Sequence, residues 1–238
     1  MPRIFVAFTP NEYTATKTEH VAVVADILRA TSSMCAAFAN GAKEIIPVGT
    51  EEELLQYHQQ GYLTASERGG LPLPFSDFGN SYTEFTPERV AGKSIAYSTT
   101  NGTQALLKAQ THTNEIFIGC FSNFSALANK LVQKQKDIYI ICAGTKNRFS
   151  MEDVLFAGAL CERLLQTDYT LYSDSALAAT ELWNLHKKDL LQFVKQLYHY
   201  KALQRLGFGE TLHYYFTVDT LQNTPVYCVE TQSIVNCS

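Results

Sequence analysis

The sequence predicts an α/β fold of three layers, α/β/α. It has a largely parallel or mixed central sheet and a helical C-terminal region ending in a short β tail. Two observations carry this. Short apolar runs alternate with helical patterns, as in successive βαβ units. Small, polar or charged residues follow each run, as the strand-to-helix turns at one end of such a sheet require. A third observation bounds the size. The 238 residues, 46% of them hydrophobic, suffice for a sizeable core. That core is organised as a single domain over 1–238, or as two packed subdomains, a sheet core to about residue 165 and a helical and β tail from 166.

The elements follow in order. Val21-Ala22-Val23-Val24-Ala25 is a buried-strand signal. Residues 31–40 read as a helix capped by Thr31 or Ser32 and closed by Gly41. Ile45-Ile46-Pro47-Val48 is the next strand, and Thr50-Glu51-Glu52-Glu53 is a capping box opening a helix that ends at Gly61. Ser94–Ser98 reads as a strand with a helix from about Thr103, and Ile116-Phe117-Ile118 as a strand with a helix over 124–134. Ile138-Tyr139-Ile140-Ile141-Cys142 is the clearest strand, and Ser150-Met151-Glu152-Asp153 opens the helix after it. Residues 174–206 look helical in two or three pieces, and strand candidates lie at 213–216 and 226–229. Residues 67–92 lack a regular pattern but contain Phe75, Phe78, Tyr82 and Phe85, too apolar for disorder. They read as an ordered loop over the functional site.

Composition excludes several classes. A net charge of −4 with 18% charged residues gives no bulk attraction for nucleic acid or anionic membranes. The N-terminus MPRIFVAFTPNEY lacks a signal-peptide pattern, and no apolar stretch approaches the roughly 20 residues that span a bilayer. The expected location is the cytoplasm. Cys35, Cys120, Cys142, Cys161, Cys228 and Cys237 form no CxxC pair and read as reduced, mostly buried small residues. Cys120 and Cys142 follow apolar runs and are candidates to line a pocket. Base rates for soluble proteins favour a homodimer.

In open α/β sheets, ligands bind beyond the carboxyl ends of the strands. The residues there form a consistent set: Asp26 to Thr31; Thr99-Thr100-Asn101-Gly102-Thr103; Gly119-Cys120-Phe121-Ser122-Asn123; and Ala143-Gly144-Thr145. Asp26 at a strand end is a metal ligand, a nucleophile or a helix cap. Arg29 suits an anionic ligand or a surface ion pair. The Thr99–Thr103 turn offers hydroxyls and N–H groups ahead of a helix N-terminus, which suits phosphate, sulfonate or carboxylate, or is an ordinary capped turn. Glu67, Arg68 and Asn80 lie in the long loop. Glu152 and Asp153 sit in a first helical turn, where the dipole favours carboxylates anyway.

Several motifs fail. Gly92-Lys93-Ser94 resembles half a P-loop, but Pro87 stands where its first Gly belongs. No GxGxxG follows a strand, which weighs against a nicotinamide enzyme. Leu28 replaces the second Asp of an Asp-x-Asp phosphatase pattern, and the six His residues show no HxH or HExxH spacing. A hard cation held by carboxylate and amide oxygens suits this chain better than zinc.

Taken together, the segments resemble the 2-phosphosulfolactate phosphatase (ComB-like) family of coenzyme M biosynthesis. The pieces are Val24 to Ser32, Asn40-Gly41-Ala42 with Pro47-Val48, Glu67-Arg68-Gly69-Gly70, Gly79-Asn80-Ser81, Thr99 to Thr103, Ser122-Asn123, Cys142-Ala143-Gly144-Thr145, Phe149 to Asp153 and Ala157-Gly158-Ala159, with a weaker tail at Pro225-Val226. The resemblance implies an α/β fold, Mg²⁺ dependence and hydrolysis of (R)-2-phospho-3-sulfolactate to 3-sulfolactate and phosphate. On this basis Asp26, Glu67 and Asp153 are the expected metal ligands, with Asn80 beside them. Asp26, Arg29, Glu67 and Asp153 form the expected catalytic set. Arg68, Asn80, Thr99, Thr100, Asn101, Gly102, Thr103, Asn123, Gly144 and Thr145 are expected to bind a small anionic phosphorylated substrate. Asp26 as nucleophile and attack by metal-activated water both remain open. So do another small acidic organophosphate as substrate and a non-catalytic metabolite-binding protein. Tyr82, where the family carries Pro, and the stretch Pro72–Ser76 depart from the pattern in the loop expected to set substrate choice.

Overall fold

The buried apolar runs become strands because both of their faces are covered. The second strand, β2 (His20–Ala25), is buried at every position and pairs in parallel with β6 (Ile116–Gly119) and β7 (Asp137–Cys142). Strands flanked by helices have no polar face, so they read as unbroken apolar runs. This is a computed structural model, and it describes residues 1–15 and 19–236. Cys237 lies outside them.

The sheet has two parallel groups. In one, β1 (Arg3–Ala7) joins β7 to the short β8 (Thr170–Leu171). In the other, β5 (Ser94–Thr99) lies between β3 (Glu44–Pro47) and β4 (Leu63–Glu67). An antiparallel hairpin of β9 (Pro225–Cys228) and β10 (Ser233–Asn236) is wedged between them, with β10 against β3 and β9 against β6. The ten-stranded order is β4-β5-β3-β10-β9-β6-β2-β7-β1-β8.

Helices cover both faces. They are α1 (Ala30–Ala39), α2 (Glu51–Gln59), the short α3 (Pro87–Val90), α4 (Gly102–Gln110), α5 (Phe124–Lys134), α6 (Met151–Leu164), α7 (Asp174–His186), α8 (Leu190–Val194) and α9 (Tyr198–Leu203). The capping box of α2 forms as the sequence predicts, with Thr50 accepting from the Glu53 N–H. A hydrophobic core runs from Ile4 to Ile234. Among the described residues, no helix is long and apolar enough to cross a membrane.

The sheet is curled. β5 and β2 stand five places apart in the order, which on a flat sheet at ~4.8 Å per strand would separate them by about 24 Å. Yet α4 packs on both, and their carboxyl ends line one small cavity. Wide, twisted sheets relieve strain by curling, and here curling brings the two parallel groups to a common site.

Some expectations are corrected. Residues 213–216 are not a strand: Leu212–Phe216 forms a 3₁₀ helix. Its buried residues Leu212, Tyr215 and Phe216 have helical spacing, which prevails over the β propensity of the aromatic run. Thr31 does not cap α1 from outside. Its hydroxyl lies inside the helix, accepting from the Asp26 N–H at 3.0 Å and donating to the Asp26 carbonyl. Cys120 and Cys142 are fully buried and absent from the cavity wall.

Candidate active site

Asp26 leaves β2 at its carboxyl end and faces a cavity of about 220 Å³. The turn after it is held from α6. Asp153 accepts the Ile27 N–H at 2.9 Å with Oδ1 and the Gly144 N–H at 3.0 Å with Oδ2. It thereby ties the β2–α1 and β7–α6 turns together. Gly144, at φ +64°, has a backbone so close to Arg148 that a Cβ there would meet its carbonyl at 2.4 Å. Burial pushes the Asp26 carboxyl up to about 6. His199 opposes the shift, the nearby Glu67 charge adds to it, and the Ala30 N–H opposes it. Burial pushes Asp153 well above the carboxylate range, and the Glu152 and Asp26 charges add to that.

Arg29 is 2% exposed. Its Nη2 donates to the Gly70 carbonyl at 2.7 Å, and its guanidinium lies 4.1 Å from the Phe208 ring centre, a cation–π contact. Nη1 is buried with no hydrogen-bond partner among the described residues. An unmet buried donor costs about 1–3 kcal/mol, and an anion in the cavity would offset that cost.

The other parallel group supplies the opposite wall. Glu67 ends β4 and accepts from the Gly70 N–H and, at 3.3 Å, the Thr100 N–H. Thr100 and Asn101 line the cavity after β5. Thr99 and Thr103 do not line it. Each hydroxyl accepts the other's backbone N–H, at 2.9 and 3.1 Å, which closes the turn and opens α4. Gly102 begins α4 against α1. A Cβ there would stand 2.6 Å from the Ala30 Cβ and 2.8 Å from the Asp26 Oδ2, so only glycine allows this approach. The N-termini of α1 and α4 therefore meet beside Asp26, where their dipoles favour negative charge.

The cavity's remaining wall comes from residues that sequence reasoning missed. Tyr198, His199, Ala202 and Leu203 of α9, with Leu206, line it. So does Lys146, whose backbone N–H is held by the Asn101 Oδ1 at 3.1 Å. The His199 Nδ1 lies 2.8 Å from the Oε1 of the buried Glu152. Burial lowers the imidazole pKa, but the Glu152 hydrogen bond and charge and the Asp26 charge outweigh it, and the net shift is upward. Lys146 sits one residue past a strand-end motif, so a wider reading of that turn would have found it. His199 gave no local signal.

Of the remaining expected residues, Asn80 and Thr145 line the cavity. The Asn80 Oδ1 accepts from the Tyr97 hydroxyl, and the Thr145 hydroxyl bonds that of Ser150. Arg68 and Asn123 do not line it. Arg68 donates to Glu51, to the Glu67 and Ser98 carbonyls and to the Ser98 hydroxyl. Asn123 bridges the Cys120 N–H to the carbonyls of Ile118 and Asn223. Of the long loop, Gly69, Gly70 and Asn80 reach the cavity, whereas Tyr82 and Pro72–Ser76 do not. The Tyr82 N–H meets the Tyr215 hydroxyl, and Leu73 and Phe75 pack in a separate apolar cluster. The loop and α9 thus share the wall of the site.

The donor set decides which cation suits the site. Among the described residues no group of three or more His, Cys, Asp or Glu is arranged to hold a metal, so a closed all-protein cage does not fit. Mg²⁺ needs only one or two carboxylates, with water and substrate phosphate completing its shell. Asp26 and Glu67 are carboxylates on the cavity wall, and each Glu67 oxygen keeps a lone pair beyond its amide bond. These two fit Mg²⁺. Asp153, expected as a third ligand, is fully engaged with the Ile27 and Gly144 amides from behind and does not line the cavity.

A mostly parallel sheet with an anion-attracting cavity at its strand ends, walled by a buried arginine and carboxylates, defines an α/β enzyme that handles phosphorylated small molecules. The comparisons specify which. A family model described as 2-phosphosulpholactate phosphatase matches residues 7–230, and the chain belongs to that family of phosphoric monoester hydrolases. It is 38% identical over 207 residues to a probable 2-phosphosulfolactate phosphatase of Caldanaerobacter subterraneus subsp. tengcongensis, covering 85% of this chain and 86% of that protein. It is 39% identical over 204 residues to one of Thermotoga maritima (86% and 87% covered) and 33% identical over 212 residues to one of Clostridium beijerinckii (87% and 88% covered).

Proposed function

We propose that the chain is a Mg²⁺-dependent cytoplasmic phosphatase of coenzyme M biosynthesis that hydrolyses (R)-2-phospho-3-sulfolactate to 3-sulfolactate and phosphate. The observation that carries this reading is Arg29, a buried guanidinium with an unpartnered Nη1 on the same cavity wall as Asp26. The relatives' names supply the substrate.

Arg29 and Lys146 receive the phosphoryl oxygens, together with N–H groups at the start of α4. Such charge-assisted contacts orient the phosphorus and offset its charge. Asp26 and Glu67 would hold Mg²⁺, which when bound would help neutralise the phosphoryl oxygens. The cavity adjoins a wider one of about 740 Å³ that shares Thr145, Lys146, Tyr198 and His199 and adds Arg148 and Phe149. That space suits the sulfonate and carboxylate end. α9 limits water around the reacting bond. Asp26 acts either as the nucleophile or as a ligand. Rapid acid quench during turnover of ³²P-labelled substrate separates these roles, because label retained on Asp26 requires an aspartyl-phosphate intermediate.

The test is phosphate release from a panel of small phosphorylated acids, with Mg²⁺ and with EDTA, for wild type and Asp26→Asn. Metal-dependent turnover that is lost in Asp26→Asn and fastest on 2-phosphosulfolactate supports the reading. Faster turnover of another acid reassigns the substrate, and no turnover on any of them sinks the phosphatase reading.

A further inference from the structure

His199 and Glu152 form a pair that the phosphate-binding arrangement leaves unused. His199 is on α9 and Glu152 in the first turn of α6, 47 residues apart in sequence, and they meet at 2.8 Å. The Glu152 side chain is 3% exposed and that of His199 is 24% exposed. The carboxylate is therefore inside while the imidazole reaches the cavity that Asp26 lines. Glu152 engages Nδ1, and Nε2 makes no hydrogen bond to a described residue. A carboxylate on one ring nitrogen fixes the tautomer and orientation and leaves the other nitrogen to exchange a proton with a ligand.

We infer that His199 is the general acid of the reaction, donating the Nε2 proton to the ester oxygen as it leaves phosphorus, with Glu152 as the positioning residue that holds the ring. This rests on the phosphatase reading of the same cavity. The leaving group of an alkyl phosphate is an alkoxide, a far stronger base than water, and its departure is slow unless it is protonated as the P–O bond breaks. In the step, the bond from phosphorus to the ester oxygen breaks and a bond from phosphorus to the attacking oxygen forms. The alcohol leaves with the imidazole's proton. The proton released by the attacking water passes to solvent, which recharges the ring. The balance holds whether attack is direct or through an enzyme carboxylate, because the ester oxygen departs in the first displacement either way.

The test compares leaving groups. An aryl phosphate such as 4-nitrophenyl phosphate expels a stable anion and needs no acid. His199→Gln is expected to lower kcat on 2-phospho-3-sulfolactate, or on whichever alkyl phosphate the wild type prefers, by about 10²- to 10⁴-fold. On 4-nitrophenyl phosphate the expected loss is under about tenfold. Glu152→Gln is expected to show the same selectivity in weaker form. Across substituted aryl and alkyl phosphates, the rate should depend weakly on the alcohol's acidity in the wild type and steeply in His199→Gln. Equal losses on both substrate classes would mean that the pair only latches α9 over the cavity, and would overturn the inference. A steep dependence in the wild type alone would overturn it too, whether or not the variants fold. Failure of the wild type to hydrolyse any phosphate ester with Mg²⁺ would overturn the phosphatase reading and this inference with it.

Discussion

Asp153 holds the Ile27 N–H at 2.9 Å, and so fixes the residue after Asp26 from a helix 126 positions later in the chain. Asp26 and Asp153 thus share one site with different tasks, the first facing the cavity and the second holding the turns that shape it.

Replacement should separate those tasks. Asp153→Asn leaves one of two buried backbone N–H groups facing an amide NH₂, and an unmet buried donor costs about 1–3 kcal/mol. A lower denaturation midpoint and reduced turnover are expected together. Asp26→Asn removes a desolvated carboxylate crowded by Glu67. It should abolish turnover without lowering the midpoint in metal-free buffer. Urea unfolding of both variants checks this, and equal destabilisation by the two would contradict it.

Arg29→Lys keeps the charge but not the fork. A single ammonium cannot keep the Gly70 carbonyl, the Phe208 face and a ligand oxygen in the geometry of a planar guanidinium. Binding of inorganic phosphate, measured by calorimetry, should weaken by about 10- to 100-fold, matching roughly 1.5–3 kcal/mol for a charged hydrogen bond. Unchanged affinity would remove Arg29 from the anion site.

Gly102→Ala should cost both stability and rate. In an ordinary helix Ala is better than Gly by up to about 1 kcal/mol. Here its methyl would overlap the Ala30 Cβ and the Asp26 carboxylate, and such overpacking costs about 1–3 kcal/mol. Displacing Asp26 by an ångström should lower kcat about 10²-fold. A variant more stable than wild type with full activity would refute the close approach.

Metal removal should be reversible and should act through Asp26. EDTA should abolish phosphate release and Mg²⁺ restore it. Mg²⁺ should raise the melting temperature of the wild type but not of Asp26→Asn, because ligand that binds only the folded state stabilises it. Full activity in EDTA would exclude the cation from the reaction.

The turns at the ends of β2, β5 and β7 were legible because their chemistry is local: Asp26, Arg29, Thr100, Asn101 and Thr145 each lie within a few residues of the end of a strand. Thr99, Thr103 and Asn123, picked by the same rule, instead serve backbone atoms of the turns themselves, and Arg68, picked from the long loop, is held by Glu51, Glu67 and Ser98. Polar residues at a strand end satisfy the backbone first, and sequence cannot show which are left over. β4 was missed because Thr64 and Ser66 interrupt its apolar character. Both are fully buried, bonded to Asp77 and to Leu73 and Ser76 of the following loop. His199 was invisible because its partner lies on another helix 47 residues away, and only the folded chain brings α9 over the strand ends.

The hairpin of β9 and β10 is the only β-pairing between the two parallel groups among the described residues, and it follows all other strands in the chain. A ribosome must therefore deliver residues 225–236 before the sheet can close. Until then Asp26 and Glu67 belong to separate halves with open β-edges. The nascent protein waits with unpaired strands at β3 and β6, a stage at which chaperone protection and dilution matter more than the stability of the finished fold.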